Sequence, residues 1–165
     1  MDATVNFEFD TAENLKVGDS ELTEILREVY VDGGFTDSEL AEEIFKATAV
    51  RDRGAIFCVR NRESSELAGI VILVAPGSKA SRLAKDGEVE MQLLGVRPKF
   101  RGQGLGKRLV TQVIDKARAD CCSKMVLWTQ RSMVAAHHLY EANGFLQVGS
   151  FEHNGREFLV YSINL

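Results

Sequence analysis

Three glycines in alternation, Gly102, Gly104 and Gly106, stand in the cation-flanked run Val96-Arg97-Pro98-Lys99-Phe100-Arg101-Gly102-Gln103-Gly104-Leu105-Gly106-Lys107-Arg108, where an apolar segment gives way to an amphipathic one. Glycine admits backbone conformations closed to other residues and lets an anion come close to the N–H groups. A helix starting in this loop leaves its first N–H groups unpaired and carries partial positive charge at that end, so a phosphate placed there meets several donors at once. Arg101, Lys107 and Arg108 add full charges. Spacing excludes two phosphate motifs. A Walker A loop needs four residues between its glycines and Ser or Thr after the lysine, but Gly102 to Gly106 encloses three and Arg108 follows Lys107. A dinucleotide fingerprint opening at Gly102 needs glycine at position 107, where lysine stands.

The pattern that remains is R-x-x-G-x-G, met by Arg101, Gly104 and Gly106. Downstream, Ala136-His137-His138-Leu139-Tyr140-Glu141-Ala142-Asn143-Gly144-Phe145 reads A-x-x-L-Y-E-x-x-G-F. With both motifs in this order the sequence resembles the GNAT superfamily of acyl-CoA-dependent N-acyltransferases over residues 88–165, while the amino-terminal half is similar only in its order of elements. The resemblance implies a central mixed, mostly antiparallel sheet with flanking helices and a parallel β-α-β core that binds acetyl-CoA, all in a single domain over residues 1–165. It implies that the N–H groups of Arg101, Gly102, Gln103, Gly104, Leu105 and Gly106 take the pyrophosphate, with Lys107 or Arg108 near the outer phosphates. It also implies that the backbone of Leu94, Gly95 and Val96 bonds the pantetheine arm, Gly95 letting the arm come close, and that an N–H there holds the oxyanion.

The chemistry so implied is attack of a primary amine on the thioester of acetyl-CoA in a ternary complex, with no metal. It needs an unprotonated amine, a stabilised oxyanion and a proton for the departing thiolate. An alkyl ammonium with a pKa of roughly 10 is charged at neutral pH, so a base or a water chain leading to one must take a proton. By resemblance that base is Glu90, on the strand before the glycine loop; Glu88, two residues earlier and on the same strand face, is its substitute. The matching proton donor is Tyr140, a phenol whose ordinary pKa of roughly 10 lies near that of a thiol at about 8.5. Met133 departs from the family, which often has Asn seven positions before the tyrosine as a cofactor contact. For the acceptor, the connector after the first helix offers Tyr30, Asp32 and Phe35, an aromatic pair with a carboxylate that suits a cationic amine and equally a helix end, a turn and a core plug. Trp128 can line the cleft, but a buried strand residue is the role expected first. The acceptor expected is a small-molecule amine. A protein or peptide amine, a non-catalytic acyl-CoA sensor or interaction module, and a phosphate-ligand binder unrelated to acyl transfer stay open.

These residues need elements to hold them. Thr4 to Phe9 reads as a first strand, and Leu22, Ile25, Leu26 and Val29 recur at helical spacing behind a cap at Asp19-Ser20. Thr36-Asp37-Ser38-Glu39 has the form of a capping box before a second helix. Ala55 to Arg60 and Leu67 to Ala75 are strands joined by a polar turn, and Pro76 to Gly87 is the longest loop. Glu88 to Val96 is a strand, Leu105, Leu109, Val110, Val113, Ile114 and Ala117 trace one helix face, and Met125 to Thr129 is a buried strand, which predicts a right-handed crossover with parallel pairing. Ser132 can cap a further helix ending at Asn143-Gly144, and Asn154-Gly155 joins a terminal hairpin. The sum is a mixed α/β sheet with helices packed on it.

Composition narrows the function classes. With 45% apolar residues the chain of 165 is not disordered, and its net charge of −4 offers no general attraction to nucleic acid or anionic membrane. The cations at 97–108 are then a local feature suited to an anionic cofactor. No apolar run is long enough to span a bilayer, and Met1-Asp2-Ala3-Thr4 lacks a basic-then-apolar signal, so a cytoplasmic location is expected. Cys58, Cys121 and Cys122 have neither disulfide nor metal spacing, and His137 and His138 are helix neighbours that point apart. The terminal hairpin leaves an edge on which a homodimer is possible.

Overall fold

Along Leu67–Val74 every residue is buried, and successive side chains enter opposite cores: Ala68, Val71 and Leu73 on one face, Leu67, Ile70, Ile72 and Val74 on the other. A strand covered on both faces must be central, so helices pack on both sides of it. The structure, a computed structural model, describes residues 3–165.

In chain order the elements are β1 (Phe7–Thr11), α1 (Asp19–Leu26) continuing into a π-helical turn (Arg27–Val31), α2 (Ser38–Ile44), α3 (Ala47–Arg51), β2 (Ala55–Asn61), β3 (Leu67–Val74), β4 (Glu88–Val96), α4 (Leu105–Ala119), β5 (Lys124–Gln130), α5 (Val134–Ala142), β6 (Leu146–His153) and β7 (Arg156–Asn164). The seven strands form one sheet in the order β1-β2-β3-β4-β5-β7-β6. Only β4 and β5 run parallel, joined by α4, and every other pairing is antiparallel. This is the mixed α/β sheet expected. The buried face of α4 is the predicted one, Leu105, Leu109, Val110, Val113, Ile114 and Ala117, and it packs on one side of the sheet with Tyr140 and Phe145. Leu22, Ile25, Leu26, Val29, Phe45 and Val50 pack on the other. No helix is long and apolar enough to cross a membrane, among the described residues.

Several local expectations are corrected. Ala3–Asn6 is a 3-10 turn, so the first strand starts at Phe7 rather than Thr4. α1 is capped by Gly18, whose N–H donates to Glu21 Oε1 at 3.1 Å, while Asp19 and Ser20 lie inside the helix. No capping box forms at Thr36: its N–H goes to the Tyr30 carbonyl at 2.8 Å, Asp37 becomes the cap position without a side-chain bond, and Arg156 reaches the Asp37 carboxylate at 3.4 Å instead. Met133, not Ser132, is the cap position of α5. At the terminal hairpin the expectation holds, with Asn154 and Gly155 both at positive φ as a tight right-twisted turn requires.

Candidate functional site

The site is a fork in the sheet. β4 and β5 pair only where Glu88–Glu90 meet Lys124–Val126, after which the strands diverge. Against β3, the register steps from Ile72↔Gln92 to Ile70↔Gly95, so β4 carries one extra residue, and Leu93 there has φ of +52°. A bulge bends its strand and re-aims the following residues, and a branched side chain at positive φ is held only where its surroundings demand it. One clamp on the bulge is Tyr30, whose hydroxyl donates to the Leu94 carbonyl at 2.9 Å. Tyr30 reaches it because α1 loosens into the π-helical turn at Arg27–Val31, a distortion that tends to mark functional positions.

Three connected spaces open along the fork. A groove of about 510 Å³ runs between Leu94, Gly95 and Val96 and the loop at Arg101, Gly102, Gly104, Leu105, Gly106 and Lys107. A cleft of about 600 Å³ lies on the opposite side, walled by Phe35, Ile44, Phe45 and Phe158 among others. Between them sits a junction of about 80 Å³ lined by Gln92, Trp128, Thr129 and Tyr140. Leu94 and Met133 line both groove and junction; Tyr30, Leu93, Trp128, Gln130 and Phe158 line both junction and cleft. Phe35 borders groove and cleft, so both connector aromatics flagged in the sequence come to the site, whereas Asp32 is exposed and lines none of the three. Trp128 is half-buried rather than buried, and of the two roles open to it takes the one facing junction and cleft.

The glycine loop exposes backbone donors to the groove. Gly102 and Gly104 have φ of +78° and +81°, and a Cβ on either would meet nothing within 4 Å, so the backbone is bare toward the groove. The first N–H of α4 donated within the chain is that of Arg108, to the Gly104 carbonyl at 3.1 Å, and the N–H groups of residues 102–107 have no backbone partner among the described residues. The surrounding cations divide. Arg97 pairs with Glu28 and donates to the Leu67 carbonyl at 2.6 Å, and Lys99 pairs with Glu66. Arg108, expected as an alternative to Lys107 at the phosphates, turns away to Thr4 Oγ1 (3.0 Å) and the face of Phe9. Arg101 and Lys107 stay at the groove, Arg101 braced by its Nε donating to the Val96 carbonyl at 2.9 Å. Gln103 turns its amide onto the Phe100 carbonyl and does not line the groove. At Gly95 a Cβ would come within 3.1 Å of Val29, so the missing side chain serves the seat of the π-helical turn rather than the groove.

Tyr140, 6% exposed on α5, reaches the junction between Phe145 and Tyr161, and its hydroxyl makes no hydrogen bond among the described residues. Burial pushes its phenol well above the ordinary tyrosine range, and does the same to Tyr30. Both therefore stay neutral O–H donors.

Glu90 does not meet the geometry of a base. It is 0% exposed and lines none of the three spaces. Oε1 accepts the backbone N–H groups of Leu83 (2.7 Å), Ala84 (3.1 Å) and Arg82 (3.1 Å), while Oε2 accepts from Gln92 Nε2 (2.6 Å) and again from Arg82 (3.2 Å). A carboxylate has about four acceptor sites, so none is left for an amine. Glu88 is no substitute, since it accepts the Lys85 N–H at 3.1 Å and also lies outside the site. Together the two glutamates fold the 76–87 loop onto β4.

Sequence reasoning missed Arg53, Arg82, Gln92, Thr129 and Gln130. Thr129 lines the junction with its buried hydroxyl unpartnered among the described residues. Gln92 joins Glu90 to Arg53, whose Nη1 donates to Gln92 Oε1 at 3.0 Å. These residues come from separate segments and form no spaced motif, so only the alternation of β4 and β5 hinted that some of them face inward.

Residues 20–145 match the acetyltransferase (GNAT) family. Over 70 residues the chain is 39% identical to an N-acetylaspartate synthetase of Xenopus tropicalis, a stretch that is 42% of this chain and 26% of that protein. It is 38% identical over 56 residues to N-alpha-acetyltransferase 30 of Saccharomyces cerevisiae, 34% of this chain and 32% of the relative. The chain thus spans about a quarter to a third of the length of these curated relatives. A Bacillus subtilis acetyltransferase solved in complex with CoA is similar in fold, with a TM-score of 0.69 over 96% of this chain and 99% of that one at 19% identity.

Proposed function

The chain belongs to the GNAT acetyltransferase family, and from that premise we propose that it transfers an acetyl group from acetyl-CoA to the primary amine of a small molecule, by direct attack in a ternary complex. The observation that carries this reading is the run of N–H groups at residues 102–107 without a backbone partner among the described residues, most of them at a groove that shares Leu94 and Met133 with the junction at Tyr140. Residues at that groove fit coenzyme A: bare backbone donors with Arg101 and Lys107 for the pyrophosphate, and the β4 edge at Leu94–Val96, unpaired by β5, for an amide-bearing arm. Acetyl-CoA supplies an activated thioester carbonyl.

Tyr140 donates its proton to the sulfur as the C–N bond forms and the C–S bond breaks. Of the three protons on the ammonium, one stays on the amide, one restores Tyr140 and one leaves to solvent. With Glu90 and Glu88 engaged elsewhere, that last proton departs by water through the open cleft. Tyr30 fixes the bulge and so the β4 edge, acting as a positioning residue. Phe35 closes one side of both spaces, where donor and acceptor meet.

Melting of the protein with acetyl-CoA, coenzyme A, ATP and NAD tests the donor site. A ligand at ~100 times its Kd stabilises a fold by about 2.7 kcal/mol, which for a domain of this size raises Tm by about 5–10 °C. The expected result is a shift with the two coenzyme A species alone. A shift confined to ATP or NAD overturns acyl transfer.

A further inference from the structure

The acceptor cleft carries an uncompensated positive charge. Arg53, Arg82 and Arg156 line it against a single carboxylate, Asp37, which Arg156 already approaches at 3.4 Å. Neither Arg53 nor Arg82 forms an ion pair among the described residues. Arg53 is half-buried and Arg82 exposed, and two unpaired guanidiniums facing one cleft repel each other, a repulsion that an anion bound between them relieves. The Arg53 guanidinium is indeed held below its ordinary pKa, first by burial and then by Arg82.

Both cations are placed by the same device. Glu90 takes the backbone N–H of Arg82, so the 76–87 loop presents that side chain at the cleft, and through Gln92 the same carboxylate bears on Arg53. Gln92 also lines the junction, so Arg53 sits one hydrogen bond from a junction wall. The cleft that holds Arg53 also shares Leu93, Trp128 and Gln130 with the junction, so one ligand can span the two. Of the remaining walls, Phe35, Leu40, Ile44, Phe45, Trp128 and Phe158 are apolar and suit a carbon side chain, while Gln130 and His153 are among the polar ones. A polyamine or other purely cationic acceptor meets only Asp37 there, a carboxylate that Arg156 already engages.

We infer that the acceptor is a free amino acid, its carboxylate bound between Arg53 and Arg82 and its amine delivered to the junction beside Tyr140. This rests on the acyl-transfer reading for the amine but not for the carboxylate site itself.

The test is melting of the coenzyme A-saturated protein with each of the twenty L-amino acids, alongside tyramine, phenethylamine and isoamylamine as decarboxylated twins of tyrosine, phenylalanine and leucine, followed by calorimetric titration of those that shift Tm. At least one amino acid is expected to bind roughly 10- to 100-fold more tightly than its amine lacking the carboxylate, the size of effect that a charge-assisted hydrogen bond gives. Arg53→Gln abolishes that preference, and because Arg53 also bonds Gln92 and the Ile44 carbonyl, Arg82→Gln provides the same readout at a side chain with no hydrogen bond among the described residues. Coenzyme A affinity stays unchanged in both variants. Binding by none of the twenty, equal binding of the decarboxylated twins, or a preference that survives both substitutions overturns the inference. A carboxylate preference that persists in a protein to which coenzyme A does not bind sinks acyl transfer and leaves the carboxylate site standing.

Discussion

Tyr140 and Glu90 show how differently two residues singled out by one family pattern are treated by their surroundings. The Tyr140 hydroxyl has no partner among the described residues, so Tyr140→Phe removes a donor without breaking a hydrogen bond described there. Turnover is expected to fall about 10²–10⁴-fold, the range for general acid–base catalysis, with acetyl-CoA affinity and Tm nearly unchanged. Thiol release against calorimetric binding separates the two, and wild-type turnover removes Tyr140 from the mechanism. Glu90→Gln places an amide among three backbone donors, so at least one buried N–H loses its acceptor. That substitution is expected to cost about 1–3 kcal/mol in urea denaturation and to leave the shape of the pH–turnover profile intact. Loss of one limb of the profile in a folded Glu90→Gln protein instead makes Glu90 the base.

At the scale of elements, the glycine loop and the fork depend on backbone rather than side chains. Gly104→Val forces a β-branched residue to φ near +81° and places its methyl groups over the groove, where a Cβ meets no protein atom. The fold is expected to lose about 1–3 kcal/mol while acetyl-CoA affinity drops by more than tenfold, measured by titration of the folded variant. Unchanged affinity rules the loop out as the phosphate cradle. The fork itself follows from the short β4·β5 ladder and the bulge at Leu93, and neither leaves a trace in composition. Strand alternation predicted β4 as an element, but its extra residue became visible only against the β3 register.

For the whole molecule, Arg60 ties the α1 layer to the sheet: it donates to Glu21 at 2.7 Å and to the carbonyls of Leu15 and Ser65. The Arg60 hydrogen bond holds the Glu21 carboxyl below its ordinary pKa. Since the folded state lowers this pKa, the pair contributes its full stability above the unfolded value of about 4.3 and loses it as pH falls through the folded one. Glu21→Gln is therefore expected to lower stability by about 1–2 kcal/mol at pH 7, with the gap from wild type narrowing below about pH 4.3. Urea midpoints across pH 3–7 check this, and a gap independent of pH places the effect in packing instead. The opposite sheet edge is less protected: Leu146 and Val148 on β6 are 71% and 62% exposed.

The sequence by itself determined the elements that local rules control. The face of α4, the Asn154-Gly155 hairpin and the positive-φ turns at Gly102 and Gly104 are each written in spacing or in residues with narrow backbone preferences. Motif and chain order were enough for the family, and for Tyr140 as the donor candidate. Tertiary structure alone decided what depends on partners distant in the chain: the surrender of Arg97, Lys99 and Arg108 to other contacts, the saturation of Glu90 by loop 76–87, and the meeting of Arg53 with Arg82 at the cleft. The physical reason is that a charge or hydroxyl acquires its role from which donors, acceptors and charges face it. For these residues those partners lie up to 104 positions away, beyond any local pattern.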